Sequence, residues 1–270
     1  MLGMENIQVA AEGRAPIDDA GRDPWIGLRR FTSARIALGR TGGSQRMRTV
    51  LDFRLSHARA RDAVLAAFDV EGLAERFVAA GLATQRIATG VSDKKTYLVR
   101  PDLGRRLDEA SRAQLVTCAP GWGRRDLVII VSDGLAAQAA ERHAVETVAR
   151  LAELLAAAGW TLYPILLAPF GRVKLQDEVG EFLGARHALM LLGERPGLGT
   201  PDSLGAYLTH HPHAACTDAN RNCVSNIRPE GLPPAVAARK LAHLLIESAR
   251  LGVSGVALKD TEAAAGELGV

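Results

Sequence analysis

Five consecutive apolar residues, Leu127 to Val131 (LVIIV), stand between the polar stretch Gly123-Arg124-Arg125-Asp126 and the turn Ser132-Asp133-Gly134. Four of the five are β-branched and the run has no polar face. That is the pattern of a central strand in a parallel sheet buried on both sides. Such a sheet needs helices over both faces, and the chain supplies them in alternation. An Ala-rich helical pattern runs from Leu135 to about Ala158 and stops at Gly159. Leu162–Ala168 is a second short apolar run, Val179, Phe182 and Leu183 fall at helical spacing, and His187–Leu192 is a third run ending at Gly193. Leu204–Thr209 and Val253–Leu258 are further strand candidates, with a helix over Pro233–Arg250 between them. The pattern predicts an α/β fold with a doubly wound, mostly parallel, Rossmann-like sheet over residues 116–270.

Ahead of it the sequence reads as a largely helical module over residues 25–115. Residues 1–24 mix small and charged residues without a period, as a flexible tail does. Ser44 is placed to cap a helix over Arg46–Ala67 that divides near Asp62, and a second amphipathic helix spans Glu71–Ala80. TQRIATG and KKTYLVR, within residues 84–100, read as short strands, and Pro101-Asp102 opens a helix through LGRRLDEASRAQLV. Between Arg29 and Arg61 there are nine arginines and one acid, Asp52. Only Phe31 and Phe53 lie among them, too few for stacking on single-stranded nucleic acid. An ion-paired protein-docking surface is the preferred reading of this arm, with nucleic acid as the rival.

No apolar run approaches the ~18 residues of a membrane span, and the N-terminus lacks the basic and apolar regions of a secretory signal. Cys118, Cys216 and Cys223 are odd in number and widely spaced, which fits a reducing cytoplasm rather than a disulfide or zinc framework.

In open parallel sheets ligands bind beyond the carboxyl ends of the strands. Three loops there carry polar chemistry. Asp133 after the first strand is either an acid facing a ligand or the cap of the next helix. Gly171-Arg172-Val173 follows the second strand, and Gly193–Gly199 follows the third with Glu194 and Arg195 in it. The last lacks both the Walker Lys-Ser/Thr and GxGxxG spacing, so neither a nucleoside triphosphate nor a dinucleotide is indicated. Asn220–Pro229 (NRNCVSNIRP) reads as a further polar loop, whose Cys223 is either a small core residue or a ligand contact. His210-His211-Pro212-His213 is a surface loop, since the proline excludes a helical His pair. No GxSxG, HExxH or Ser-His-Asp pattern occurs, so this chain is expected to bind the group that does the chemistry.

Several of these segments together resemble one family, the small (light) subunit of ethanolamine ammonia-lyase. They are Leu28–Arg40, Tyr97–Arg106, Val131–Leu135, Gly171–Val173, Asp177–Gly184, Gly193–Gly199 with Ser203-Leu204, and Cys223–Ile227. The resemblance implies an adenosylcobalamin-dependent carbon–nitrogen lyase that turns ethanolamine into acetaldehyde and ammonia. In it a large subunit with a TIM-type barrel holds the substrate, and the small subunit, inactive alone, covers the cofactor. It also implies cobalamin contacts at Val173, Glu194 and Cys223. The Asp-x-His-x-x-Gly motif that displaces the cofactor's own base is missing from the sequence, which implies base-on binding. The alternatives are a cobalamin-binding subunit of another aminoalcohol or diol lyase, and a nucleic-acid-binding protein using the basic arm. Neither nucleic acid nor membrane is an expected partner. The expected location is the cytoplasm, with a bacterial microcompartment as the family's variant; residues 1–24 show only a weak helical face.

Overall fold

The structure is a computed structural model that describes residues 25–32 and 34–260. The tail expected over residues 1–24 lies outside them. The chain divides into two units, one ending at Ser56 and one beginning at His57.

The described part of the first unit holds a 3-10 turn over Ile26–Phe31, a small hairpin of β1 (Arg40–Thr41) and β2 (Ser44–Gln45), and the start of α1 (Met47–Leu65). Ser44 therefore sits in a strand and does not cap α1, and α1 runs through Asp62 unbroken. Arg35 ties the unit together, paired with Asp52 and donating to the Thr49 carbonyl at 3.2 Å. Trp25, Phe31 and Met47 are 65, 72 and 72% exposed, beside Arg29, Arg30 and Arg48, which are also exposed.

The second unit is built on a six-stranded sheet. Its strands are β3 (Thr84–Arg86), β4 (Leu127–Ser132), β5 (Ile165–Leu167), β6 (His187–Gly193), β7 (Leu204–His210) and β8 (Arg221–Ile227), in the spatial order β3-β5-β4-β6-β7-β8. The first four are parallel, and β7 and β8 are added antiparallel. The expected central strand is central: every residue of β4 is buried. Its side chains alternate between two cores, Leu127, Ile129 and Val131 on one face and Val128 and Ile130 on the other. The first core is covered by α2 (Val70–Ala79), α5 (Ala137–Ala157) and α7 (Pro234–Leu251), the second by α4 (Glu109–Trp122) and α6 (Leu175–Leu183). This is the doubly wound α/β architecture the sequence pattern predicts.

Several elements differ from expectation for identifiable reasons. KKTYLVR is a helix, α3 (Lys94–Val99), because Asp93 accepts the Thr96 N–H at 2.9 Å as its cap. The helix expected from Leu103 starts only at Glu109, where Asp108 accepts from Ser111 N at 2.7 Å; residues 103–105 form a separate 3-10 turn. The polar stretch at 221–227 is a strand, not a loop. Residues 253–258 are not a strand: Asn222 holds the backbone there, with Gly255 N donating to its Oδ1 at 2.6 Å and its Nδ2 donating to the Gly255 carbonyl at 3.1 Å.

The winding fixes where a site can form. From β4 the chain leaves through α5 on one face, and from the adjacent β5 through α6 on the other. Adjacent strands whose connections part in this way leave a crevice at their carboxyl ends.

Candidate functional site

The loops beyond β4, β5 and β6 meet at that crevice and are stitched to one another by buried polar groups. Asp133, 1% exposed, accepts from Lys94 Nζ at 2.9 Å and from the Phe170 N–H at 2.6 Å. Lys94 also donates to the Gly134 carbonyl at 2.9 Å. Ser132 Oγ accepts the Gly171 N–H at 2.9 Å. Asp133 is thus neither a ligand-facing acid nor the cap of α5, whose N-terminal flank is Ala136 without a side-chain cap. Its carboxylate fixes the loop that carries Arg172 and Val173.

The β6 loop is held just as closely. Gly193 gives its carbonyl to Leu135 N at 2.9 Å. A Cβ on Gly193 would lie 2.0 Å from the Ala136 carbonyl oxygen, so only glycine permits this approach. Glu194 then points toward β7 and β8. Its Oε2 accepts from the Ser203 hydroxyl and from Asn226 N, the latter at 3.3 Å, and its own N–H reaches the Ser203 carbonyl at 2.9 Å. Among the described residues no protein donor is hydrogen-bonded to Oε1, which leaves one carboxylate oxygen to accept from a ligand.

Val173 and Glu194 line one hollow of about 470 Å³, together with Tyr97, Leu135, Arg172 and Tyr207. Cys223 does not line it, but it is the register partner of Tyr207 on the neighbouring strand. Tyr207 and Cys223 stand close enough to shift each other's proton affinity, and both feel the charge of Glu194. Desolvation by surrounding side chains is the main cause that raises the Cys223 thiol above its ordinary range, with Glu194 adding to it and Tyr207 opposing. The Tyr207 hydroxyl is also raised, first by burial and then by Cys223 and Glu194. Tyr97, 2% exposed, is pushed up to about 12, chiefly by burial. All three shifts favour the neutral forms of Tyr97, Tyr207 and Cys223.

The family model of the ethanolamine ammonia-lyase light chain matches residues 22–259. The chain belongs to this family. The ethanolamine ammonia-lyase small subunits of Pseudomonas putida and Pseudomonas syringae pv. tomato are 51% and 48% identical to it over 248 and 242 residues. Those alignments cover 92% and 89% of this chain and 90% and 84% of the relatives. Membership makes the chain a lyase subunit.

In this light chain Tyr97, Leu135, Arg172 and Tyr207 are among the residues that line the hollow beyond the expected ones. The first three lie in segments that carry the family resemblance. Tyr207 has no polar motif around it, and the only signal for it was strand alternation, which turns it from the fully buried Ala206 and Leu208. His187 and His210 are register partners at the other end of β6 and β7, with ring centroids 4.7 Å apart. Among the described residues no helix is long and apolar enough to cross a membrane.

Proposed function

We propose that this chain is the small subunit of an adenosylcobalamin-dependent ethanolamine ammonia-lyase, which converts ethanolamine to acetaldehyde and ammonia. Its part is to cover the cofactor against a large catalytic subunit, and alone it is inactive. The observation that carries the reading is the hollow at the carboxyl edge of the sheet in a chain of this family. Val173 and Glu194 both line it, and Cys223 is the register partner of its Tyr207.

The residues present fit such a group. Val173, Leu135 and Leu192 offer apolar surface to a corrin or benzimidazole face, and Glu194 Oε1 is a free acceptor for an amide or a ribose hydroxyl. The space, about 470 Å³, is too small to enclose a whole cobalamin, so this chain holds one part of it and a partner the rest. Adenosylcobalamin supplies, when bound, a cobalt–carbon bond whose homolysis starts radical chemistry. Val173, Glu194 and Cys223 orient it and exclude water from one side, and none serves as base or nucleophile. The base-on form agrees with a sequence that contains no Asp-x-His-x-x-Gly motif.

The arginine-rich N-terminal region is the docking surface for the large subunit. Exposed Trp25, Phe31 and Met47 among exposed arginines combine apolar area with charge, as protein interfaces do. The setting is the cytoplasm, or a microcompartment within it. The test is a tagged pull-down from the native host, followed by addition of adenosylcobalamin and ethanolamine. One larger chain should co-elute, and ammonia and acetaldehyde should form only with the cofactor. Turnover of a 1,2-diol in place of ethanolamine would move the reading to another lyase.

A further inference from the structure

A second hollow, of about 430 Å³, adjoins the first, and Arg172 and Val173 line both. Its remaining walls carry Arg105, Lys174 and Arg221, with Asp218 the one acid among its lining residues. Arg221 is neutralised beneath it by Asp177, through hydrogen bonds of 2.6 and 2.7 Å. Lys174 shares that same carboxylate at 3.5 Å and otherwise donates to the Ala214 and Cys216 carbonyls at 2.9 and 2.7 Å. Asp177 and Asp218 therefore face four cations, and two positive charges are left over.

The surplus lies with Arg172 and Arg105. Arg172 has no carboxylate partner among the described residues: it stacks on the Tyr97 ring at 3.9 Å, donates to the Tyr97 carbonyl at 2.6 Å, and keeps a buried Nε without an acceptor. Arg105 has no carboxylate partner there either, and its side chain is exposed at the rim. The fold brings the two together deliberately. Arg172 N donates to the Gly104 carbonyl at 2.7 Å, and a Cβ on Gly104 would meet the Phe170 carbonyl oxygen at 2.6 Å. Only glycine lets the turn bearing Arg105 lie this close to the loop bearing Arg172.

A donor-rich, net-positive hollow matches an anion. The amide side chains of a corrin ring are neutral, so they do not account for two surplus positive charges. The tail that joins the ring to its benzimidazole nucleotide contains one phosphodiester, and arginine pairs well with such oxygens. We infer that the second hollow takes the phosphodiester of the cofactor's nucleotide tail, with Arg105 and Arg172 as its charge partners. The inference rests on the proposed cobalamin site.

The test uses the co-purified complex of both subunits and three probes: cyanocobalamin, dicyanocobinamide (which lacks the nucleotide and its phosphodiester) and inorganic phosphate. Arg105→Gln should weaken cyanocobalamin binding roughly tenfold and leave cobinamide binding unchanged, while Arg105→Lys retains part of the affinity. Inorganic phosphate should compete with cyanocobalamin and not with cobinamide, and Arg105→Gln should abolish the competition. Equal loss on both corrinoids, or loss on neither, overturns the inference. So does Arg105-dependent binding of phosphate that leaves cyanocobalamin untouched, which would mark a site for free phosphate. A wild-type complex that binds neither corrinoid removes the cobalamin reading itself, and the inference with it.

Discussion

Lys94 Nζ and Asp133 Oδ2 lie 2.9 Å apart with side chains 16 and 1% exposed, and this pair anchors the loop that bears Val173. The carboxylate also takes the Phe170 N–H, so losing the lysine strips one partner from a group that cannot reach water. Removing one member of a buried ion pair costs about 3–5 kcal/mol. Lys94→Met should therefore lower unfolding stability by about 3 kcal/mol in urea denaturation. The double variant with Asp133→Asn should recover part of that loss, because the unpaired charge is gone. Equal losses in single and double variants would remove the pairing argument.

Gly193 has no room for a methyl group against the Ala136 carbonyl oxygen, 2.0 Å from its would-be Cβ. Gly193→Ala should destabilise the protein by about 1–3 kcal/mol and displace Glu194 from Ser203. A crystal structure of the variant with the Glu194–Ser203 contact intact would contradict this.

How much of this could be read from the chain varies with how local the signal was. β4 was legible because both its faces are buried, and four β-branched residues in a row say so. β8 was not, since only Val224 and Ile227 of its seven residues are buried. An edge strand with one thin apolar face reads as a polar loop. Asn226 adds to the disguise with φ 58, beside the register irregularity opposite Leu204 and Ala206. The reverse error at 253–258 has the same root. VSGVAL has strand-like residues, but its backbone partners come from the Asn222 side chain, a tertiary fact no local pattern holds. At the site, Val173 and Glu194 were visible as polar or Gly-bearing loops after strands. Their meeting in one hollow depended on Asp133 and Gly193, whose roles are contacts across the sheet.

Glu194 commits Oε2 to Ser203 and Asn226 and leaves Oε1 open. Glu194→Ala should weaken cobalamin binding by the complex about tenfold, the scale of one hydrogen bond to a charged group, while the two subunits still co-elute. Equilibrium dialysis and gel filtration separate the two readouts, and unchanged affinity would withdraw Glu194 from the site.

The opposite dissociation is expected on α1. Arg54 and Arg61 are exposed there, and Arg61 reaches Asp62 only at 3.8 Å. Arg54→Glu with Arg61→Glu should weaken association with the large subunit, more so at low salt. The circular dichroism spectrum of the chain should be unchanged, and its unfolding free energy should stay within about 0.5 kcal/mol of wild type. Association that is indifferent to the reversal would exclude this face as the docking surface.

His187 is fully buried, packed between the tilted rings of Trp160 and His210 at 5.1 and 4.7 Å, and bonded to Ser248 Oγ at 3.1 Å. Burial first, then the neighbouring His210, Arg186 and His211, lower its pKa to about 3, with Asp126 the one opposing charge. The unfolded chain, with an ordinary histidine near 6.5, takes up a proton that the folded chain refuses until about pH 3. Stability from this group is therefore complete above about pH 6.5 and is lost as pH falls toward 3, at most about 1.4 kcal/mol per pH unit. His187→Phe keeps an aromatic ring against Trp160 and removes the titration. Its stability should fall less steeply than wild type between pH 6 and pH 4, whatever its value at pH 7. Parallel curves for the two proteins would remove His187 as a source of the acid sensitivity and leave it to other groups, His143 and His210 among them.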